Sequence, residues 1–422
     1  MIPTLTTPDA TMVFARDGYT FISRRCDRLG TDAFRTRLLT KPAVCIRGAD
    51  AARVFYSDDR RFTRRRGAMP TSVVHLLQDE GSVQMLDGDA HRNRKDMFLG
   101  VLTSDDLSLH DVFDREWRSA IGRWQGRPEV VLHDEIEQVL TRTAAAWAGV
   151  PLSEREVPRR TRELSAMVTG AGSFGPVNWW ARILRNRCEQ WIRGIVDRAR
   201  TGDLHPPEGS ALATIATHRE PDGRLLDVTT AGVELLNVLR PIVAVARFID
   251  FAALALLRHP QWRDEFAEGR EDDLEGFVHE VRRLYPFFPL IGGKVNQPFT
   301  WNGHDFAHDE WVLLDLYGTN HDARLWTDPE AFKPERFRGL TPDPYTLIPQ
   351  GAGEHRDTHR CPGEQATVAL MAQAVRLLTG AMRYRVGVQD FTVGLSLSTA
   401  PPIPRDGFRI HSVTPAGVAA DR

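Results

Sequence analysis

The chain of 422 residues has only four cysteines, Cys26, Cys45, Cys188 and Cys361. They are too few and too scattered for a disulfide framework or a paired-cysteine zinc site, which leaves a single thiolate for any chemistry at sulfur. An excess of one charge is also missing. The 54 basic and 56 acidic residues leave a formal net charge of -2, so no global field favours nucleic acid or an anionic membrane. The opening residues, MIPTLTTPDATMVFARDGYT, contain no basic stretch leading into an apolar core, and no run of about 20 apolar residues follows. The expectation is a cytoplasmic protein with no membrane anchor and no nucleic-acid partner. Internal repeats, low-complexity tracts and long Gly/Ser linkers are absent as well. With 42% hydrophobic residues the chain has the apolar surface for a large core, and residues 1–422 read as one domain.

Most of that domain reads as helix. Apolar residues recur at helical spacing near 105–124, 134–148, 155–170, 177–200, 227–258, 273–285 and 364–380. A small β region is expected from PAVCIRG at 42–48 and from QPFTWNGHDF at 297–306, a hairpin turning on Asn302-Gly303. Two stretches rich in Pro, Gly and Asp, 202–210 and 218–227, read as loops between helices.

Segment 227–258 would form a helix of roughly 48 Å at 1.5 Å per residue, long enough to cross the domain. Its middle, LLNVLRPIVAVARFIDF at 235–251, is apolar on every side, the pattern of a helix buried all round. Arg240 and Pro241 interrupt it. Pro241 cannot donate to the carbonyl of Asn237 and crowds it, so the helix is expected to kink or open there. Arg240 needs an anion, because an unpaired buried charge costs several kcal/mol and arginine keeps its proton. Two readings stand: an internal salt bridge, to Glu234 or a distant carboxylate, or a bidentate clamp for a ligand carboxylate.

A second stretch, LIPQGAGEHRDTHRCPGEQATVALMAQAVRLL at 347–378, brings Cys361 on a Gly-rich loop to the start of a helix. There the helix dipole and free N–H groups favour a thiolate and a lowered pKa. Pro362 suits the first helical turn, and Gly363 lets backbone approach the sulfur. An isolated cysteine is more often a small buried hydrophobe. Upstream, GFVHEVRRLYPFFP places Glu280 and Arg283 three apart on one helix face, and PERF at 334–337 follows.

A Glu-x-x-Arg pair, a Pro-Glu-Arg-Phe run and a Cys-x-Gly loop entering a helix, in that order, resemble the cytochromes P450, the thiolate-ligated haem monooxygenases. The resemblance spans nearly the whole chain. It implies a mainly α fold with a long central helix over haem b and a small β region. Glu280, Arg283 and Arg336 would form an ion-pair core behind the haem, and Cys361 would be the axial ligand of the iron, its electron-rich thiolate favouring O–O cleavage.

Two departures narrow the resemblance. The acid–Thr pair that usually delivers protons on the central helix is replaced by Arg240-Pro241. The loop before Cys361 carries Glu354 where Phe is usual. Both features are similar to the fatty acid peroxygenase branch, as are RRRGAMP at 64–70 and GSVQMLDGDAHRNRKDMF at 81–98. That branch implies hydrogen peroxide as co-substrate, no obligatory redox partner and a small carboxylic acid as substrate. Arg240 would hold the acid's carboxylate, the opening at Pro241 would make room for it, and the carboxylate would serve as general acid–base. The implied products are 2- or 3-hydroxy acids, with decarboxylation to a terminal alkene as a side path.

The same resemblance assigns further residues. Gln84 falls where hydroxylating members carry Gln and decarboxylating ones carry His; the plain alternative is a satisfied loop glutamine. His91, Lys95 and His359 match partners of the haem propionates, and Arg66 would reach one. Phe287 matches an aromatic of the acyl channel, whereas Gln78 stands where Phe is usual and Thr358 where Gly is common. These last differences keep open a second reading, oxidation or another transfer at iron on a specialised biosynthetic intermediate. A haem sensor or carrier without turnover is the reading from another class.

Overall fold

A computed structural model describes residues 2–58, 60–65, 67–103, 108–173, 175–397 and 402–417. In chain order the first third holds α1 (Thr11–Asp17), α2 (Phe21–Leu29), β1 (Ala33–Leu38), β2 (Lys41–Ile46), α3 (Ala49–Tyr56), β3 (Phe62–Thr63), α4 (Thr71–Leu77), α5 (Gly88–Leu102) and α6 (Leu109–Trp124). The middle holds β4 (Val130–Val131), α7 (Leu132–Ala148), α8 (Val157–Gly170), α9 (Pro176–Thr201), α10 (Ala211–Thr217), α11 (Val228–Ala244), α12 (Ala246–Arg258), α13 (Pro260–Ala267) and α14 (Leu274–Leu284). The last third holds β5 (Leu290–Val295), β6 (Phe299–Trp301), β7 (His304–Phe306), β8 (Trp311–Asp315), α15 (Leu316–Asn320), α16 (Glu364–Arg376), β9 (Met382–Val386) and β10 (Arg409–Pro415).

The expected mainly α fold is present. The helices that were legible from periodicity pack around α11 and α12, where Leu235, Leu236, Phe248, Phe251 and Leu254 share one apolar core with Trp117 and Trp124 of α6 and Ile136 and Leu140 of α7. The β region is a five-stranded sheet in the order β1-β2-β8-β5-β3, parallel only between β2 and β8. The hairpin is β6–β7, with Trp301 opposite His304 and both Asn302 (φ 52) and Gly303 (φ 69) left-handed, as a two-residue turn of this type requires. Loops occupy most of 202–210 and 218–227 as expected, the second closed by a bridge between Arg219 and Leu225.

The central helix departs from expectation in one respect. Helical backbone runs through Pro241, and the interruption comes at Val245, one turn later, between α11 and α12. The ring removes a donor at 241, and the strain is released where the next turn can tighten: the Val245 N–H bonds the Ile242 carbonyl, three residues back, at 3.2 Å. Pro241 is the one exposed residue between 231 and 256. Its neighbours at helical spacing, Asn237, Val238 and Ile242, are the least buried in α11 after it, so this face of the helix borders open space.

Candidate active site

Three of the four cysteines are buried hydrophobes. Cys26, Cys45 and Cys188 lie in the cores, and burial pushes the thiols of Cys26 and Cys188 up to about 12. Cys361 alone is partly accessible. The loop brings it there through Gly351, at φ 99, where a Cβ would approach the Tyr56 hydroxyl to 3.0 Å and Arg360 Cα to 3.2 Å. The Cys361 N–H donates to the Gln350 carbonyl at 3.1 Å, and Gln350 Nε2 lies 3.8 Å from the sulfur.

Two expectations about this loop are corrected. Helix α16 starts at Glu364 with Gly363 as its N-cap, so Pro362 sits in the preceding turn and not in the first helical turn. The thiol is not lowered by the protein alone. Burial raises it first and the Glu364 carboxylate adds to that, while the Gly363 N–H, Lys95 and Arg282 pull the other way. A thiolate here therefore calls for a cation at sulfur.

Behind the loop, two ion-pair groups fasten it to the body. Arg283 binds Glu280 through Nε and Nη2 at 2.7 and 2.9 Å, both fully buried, and Arg336 Nε reaches the same carboxylate at 3.1 Å. This is the expected core of three. A second group was not read from sequence: Glu364 is held by Arg282, by Arg360 Nε at 2.6 Å and by His355 at 3.2 Å, which keeps its carboxyl far below the usual range despite burial. Arg282 also donates to Gln350 at 3.0 Å. The neighbouring arginines of the Glu-x-x-Arg helix thus serve two different anchors.

On the other side of Cys361 lies a cluster of donors. The rings of His91, on α5, and His359 stand 4.1 Å apart. Burial keeps both imidazoles neutral, lowering His91 to about 4 and His359 further. Lys95, one turn along α5, donates to the carbonyls of Thr358, at 2.8 Å, and Arg360, and burial lowers it to about 8. Arg64 is buried over the Phe55 ring, its Nη atoms 3.5 Å from two carbonyls and its Nε without a partner. Arg64 was not singled out from sequence. Arg66, which was, lies outside the described residues.

Neither Arg64 nor Lys95 has a carboxylate within ion-pair distance among the described residues. Two buried cations and two neutral imidazoles beside one accessible thiol fit a haem, whose propionates supply the missing anions and whose iron supplies the cation at sulfur. No group of three His, Cys, Asp or Glu side chains converges among the described residues, which leaves ligation through the single sulfur.

Arg240 faces a different set of partners. Its Nη1 donates to the Leu76 carbonyl at 3.1 Å, and its Nη2 to the Leu77 carbonyl and to Asn237 Oδ1, both at 2.8 Å. It is 4% exposed, and burial, reinforced by nearby Arg185, lowers it to about 9. Glu234, the carboxylate it was weighed against, belongs to others: Arg94 Nη1 at 2.5 Å, the Val83 N–H at 2.8 Å and Asn237 Nδ2 at 2.9 Å. The internal salt bridge is therefore overturned. Arg240 is a buried cation held by three neutral oxygens.

Asn237, unremarked in sequence, is the hub. Its amide also donates to Gln84 Oε1 at 3.2 Å, joining Gln84 to Arg240 through one side chain. Gln78 caps the C-terminus of α4 with its side-chain oxygen buried and unpartnered. Phe287 is half-buried, stacked on Phe248 with centroids 4.3 Å apart, and its carbonyl accepts from Tyr19. Among the described residues no helix is long and apolar enough to cross a membrane.

A sequence model of the cytochrome P450 family matches residues 274–381. Solved structures match almost end to end. P450SP alpha (CYP152B1), in complex with (R)-ibuprophen, is 44% identical, with 96% of this chain and 99% of that chain covered and a TM-score of 0.92. P450EX alpha (CYP152N1), with myristic acid, is 38% identical over 98% and 99%, at 0.93. OleT, in complex with arachidonic acid, is 30% identical over the whole of both chains, at 0.94. With the Cys361 loop, its ion-pair anchors and the Arg240-bearing central helix in one matching fold, the chain belongs to the cytochromes P450, within the CYP152 family.

Proposed function

We propose that this protein is a peroxide-dependent oxidase of carboxylic acids, hydroxylating a fatty acid at the carbons next to its carboxylate, with decarboxylation to a terminal alkene as a side path. The observation that carries this reading is the Arg240 guanidinium, buried on α11 without a carboxylate of the protein to neutralise it. The listing of fatty acids in the structures of P450EX alpha and OleT supports the substrate class.

Haem b bound through Cys361, with hydrogen peroxide as co-substrate, supplies the oxidising equivalent. His91, Lys95, His359 and Arg64 would hold its propionates. The chain's own residues do the rest. Arg240 binds the substrate carboxylate, and Asn237 and the α4 carbonyls aim the guanidinium. Neither Arg240 nor Pro241 can take and return a proton near neutral pH. The proton that must pass between the peroxide oxygens is therefore carried by an oxygen of the bound carboxylate. The short tether from guanidinium to reacting carbon restricts attack to positions near the carboxylate. Gln84, tied to Asn237, favours hydroxylation over decarboxylation. No obligatory redox partner is needed, and the placement is cytoplasmic.

A short carboxylic acid seated at Arg240 should let the enzyme oxidise a small molecule lacking a carboxylate, because the decoy supplies the proton carrier. Co-oxidation is measured with peroxide in wild type and Arg240→Ala. Loss of the decoy effect in the variant, with haem content retained, supports the clamp; an equal response in both proteins overturns it.

A further inference from the structure

On the outer side of α4 the structure has a second feature that the proposed reaction does not use. A cavity of about 680 Å³ lies between the β1–β2 turn, the loop before α4 and the first half of α9, within the size range of small-molecule sites. Met69, Val74, Met85 and Trp311 form apolar wall, and Lys41 and Arg182 stand on it as cations. Arg182 is half-buried and its Nε is buried with no partner. Among the described residues, no carboxylate lies within ion-pair distance of Arg182 or Lys41.

The acids in the wall explain why. Asp79 and Glu189 are taken by Arg185, at 3.0 and 2.5 Å, and Glu189 also by Arg193 at 2.9 Å. Only Glu80 is left against Lys41 and Arg182. Arg185 links this cavity to the inner site. Its Nη1 donates to the Gln78 carbonyl at 2.7 Å, the next along the chain after the Leu76 and Leu77 carbonyls held by Arg240. One strip of backbone at the end of α4 thus separates the cavity from the clamp. Residues 176–188 of α9 carry Arg182, Arg185 and Arg187 and no acid, and Val177, Trp179, Trp180 and Ile183 extend an exposed apolar surface from the same segment.

We infer that this cavity is an outer docking site for a long-chain carboxylate, with Arg182 binding the headgroup and the apolar wall covering the first part of the acyl chain. The inference rests on the reading of Arg240 as the inner carboxylate site: the acid docks at Arg182 and then moves past the end of α4 to Arg240. An unpaired, partly desolvated guanidinium attracts a carboxylate more than an exposed one does, and the apolar wall distinguishes an amphiphile from a small anion.

Calorimetric titration of myristate into the haem-loaded protein tests this. In the Arg240→Ala variant, where the inner clamp is gone, myristate should still bind. Adding Arg182→Glu to that variant should weaken the binding about tenfold or more, while 1-tetradecanol, equal in chain length and uncharged, should bind both variants alike. In otherwise wild-type protein, Arg182→Gln should raise KM for myristate with kcat unchanged. If myristate affinity in the Arg240→Ala protein is indifferent to Arg182→Glu, the outer site is overturned. If the Arg182 dependence appears but no acid is oxidised with peroxide, the outer site stands and the proposed reaction falls.

Discussion

Glu234 accepts from Nη1 of Arg94 at 2.5 Å, an ion pair that ties α5 to α11 with both side chains almost wholly buried. Six residues on, Arg240 receives nothing from it. The consequence is an asymmetry between two buried arginines. Arg94→Ala leaves the Glu234 carboxylate uncompensated and should cost about 3–5 kcal/mol in urea unfolding. Arg240→Ala leaves three neutral oxygens that water can satisfy, and should cost only ~1–2 kcal/mol while lowering peroxide-driven acid turnover by roughly 10² to 10⁴. Equal stability losses in the two variants would show that Arg240 is structural.

Asn237 aims Arg240 and is matched to it in size, so Asn237→Asp keeps the geometry and gives the guanidinium a carboxylate of the protein's own. That internal partner should compete with substrate, raising KM for a fatty acid by about tenfold or more, with little change in haem content. Steady-state kinetics with peroxide at fixed concentration measures it; an unchanged KM would mean that substrate does not meet Arg240.

Gln84 is joined to the same amide. Gln84→His should raise the alkene share of the products, read by gas chromatography of hydroxy acid against alkene. A constant ratio would remove Gln84 from the reaction.

Cys361→Ser should abolish the thiolate-type absorption of the carbon monoxide complex, because the other cysteines are buried away from the loop. Survival of that spectrum would refute ligation by Cys361.

A pH effect far from the site follows from His133. Burial alone would lower it, but the Asp250 carboxylate, 2.5 Å from Nδ1, and Glu137 override that and raise it to about 10. A raised folded-state pKa contributes stability that is fully present below the unfolded value near 6.5 and is lost as pH rises through about 10. Stability measured from pH 7 to 10 should fall, and His133→Asn should flatten the slope across that window. A slope unaffected by the substitution would place the lost proton elsewhere.

What could be read in sequence was whatever is written in neighbouring residues. The long helices α6 to α9 show their apolar face every three or four residues, and Asn302-Gly303 announces its hairpin through the left-handed backbone that those residues tolerate. Glu280 and Arg283 pair within one helical turn, so their spacing sufficed. Helix α5 hid its inner face because that face is His91, Arg94 and Lys95 beside Met97 and Phe98, and a pattern of apolar residues cannot reveal buried charges. The partners of those charges come from far along the chain: Arg94 finds Glu234, Lys95 the carbonyls around Cys361, Arg282 the start of α16. Sequence determined that a buried arginine on the central helix needed an anion, since that follows from the desolvation of one charge. Only the tertiary structure decided that Glu234 was already bound and that Arg240 was left to a ligand, because ion pairing depends on which distant side chains the fold brings within a few ångströms.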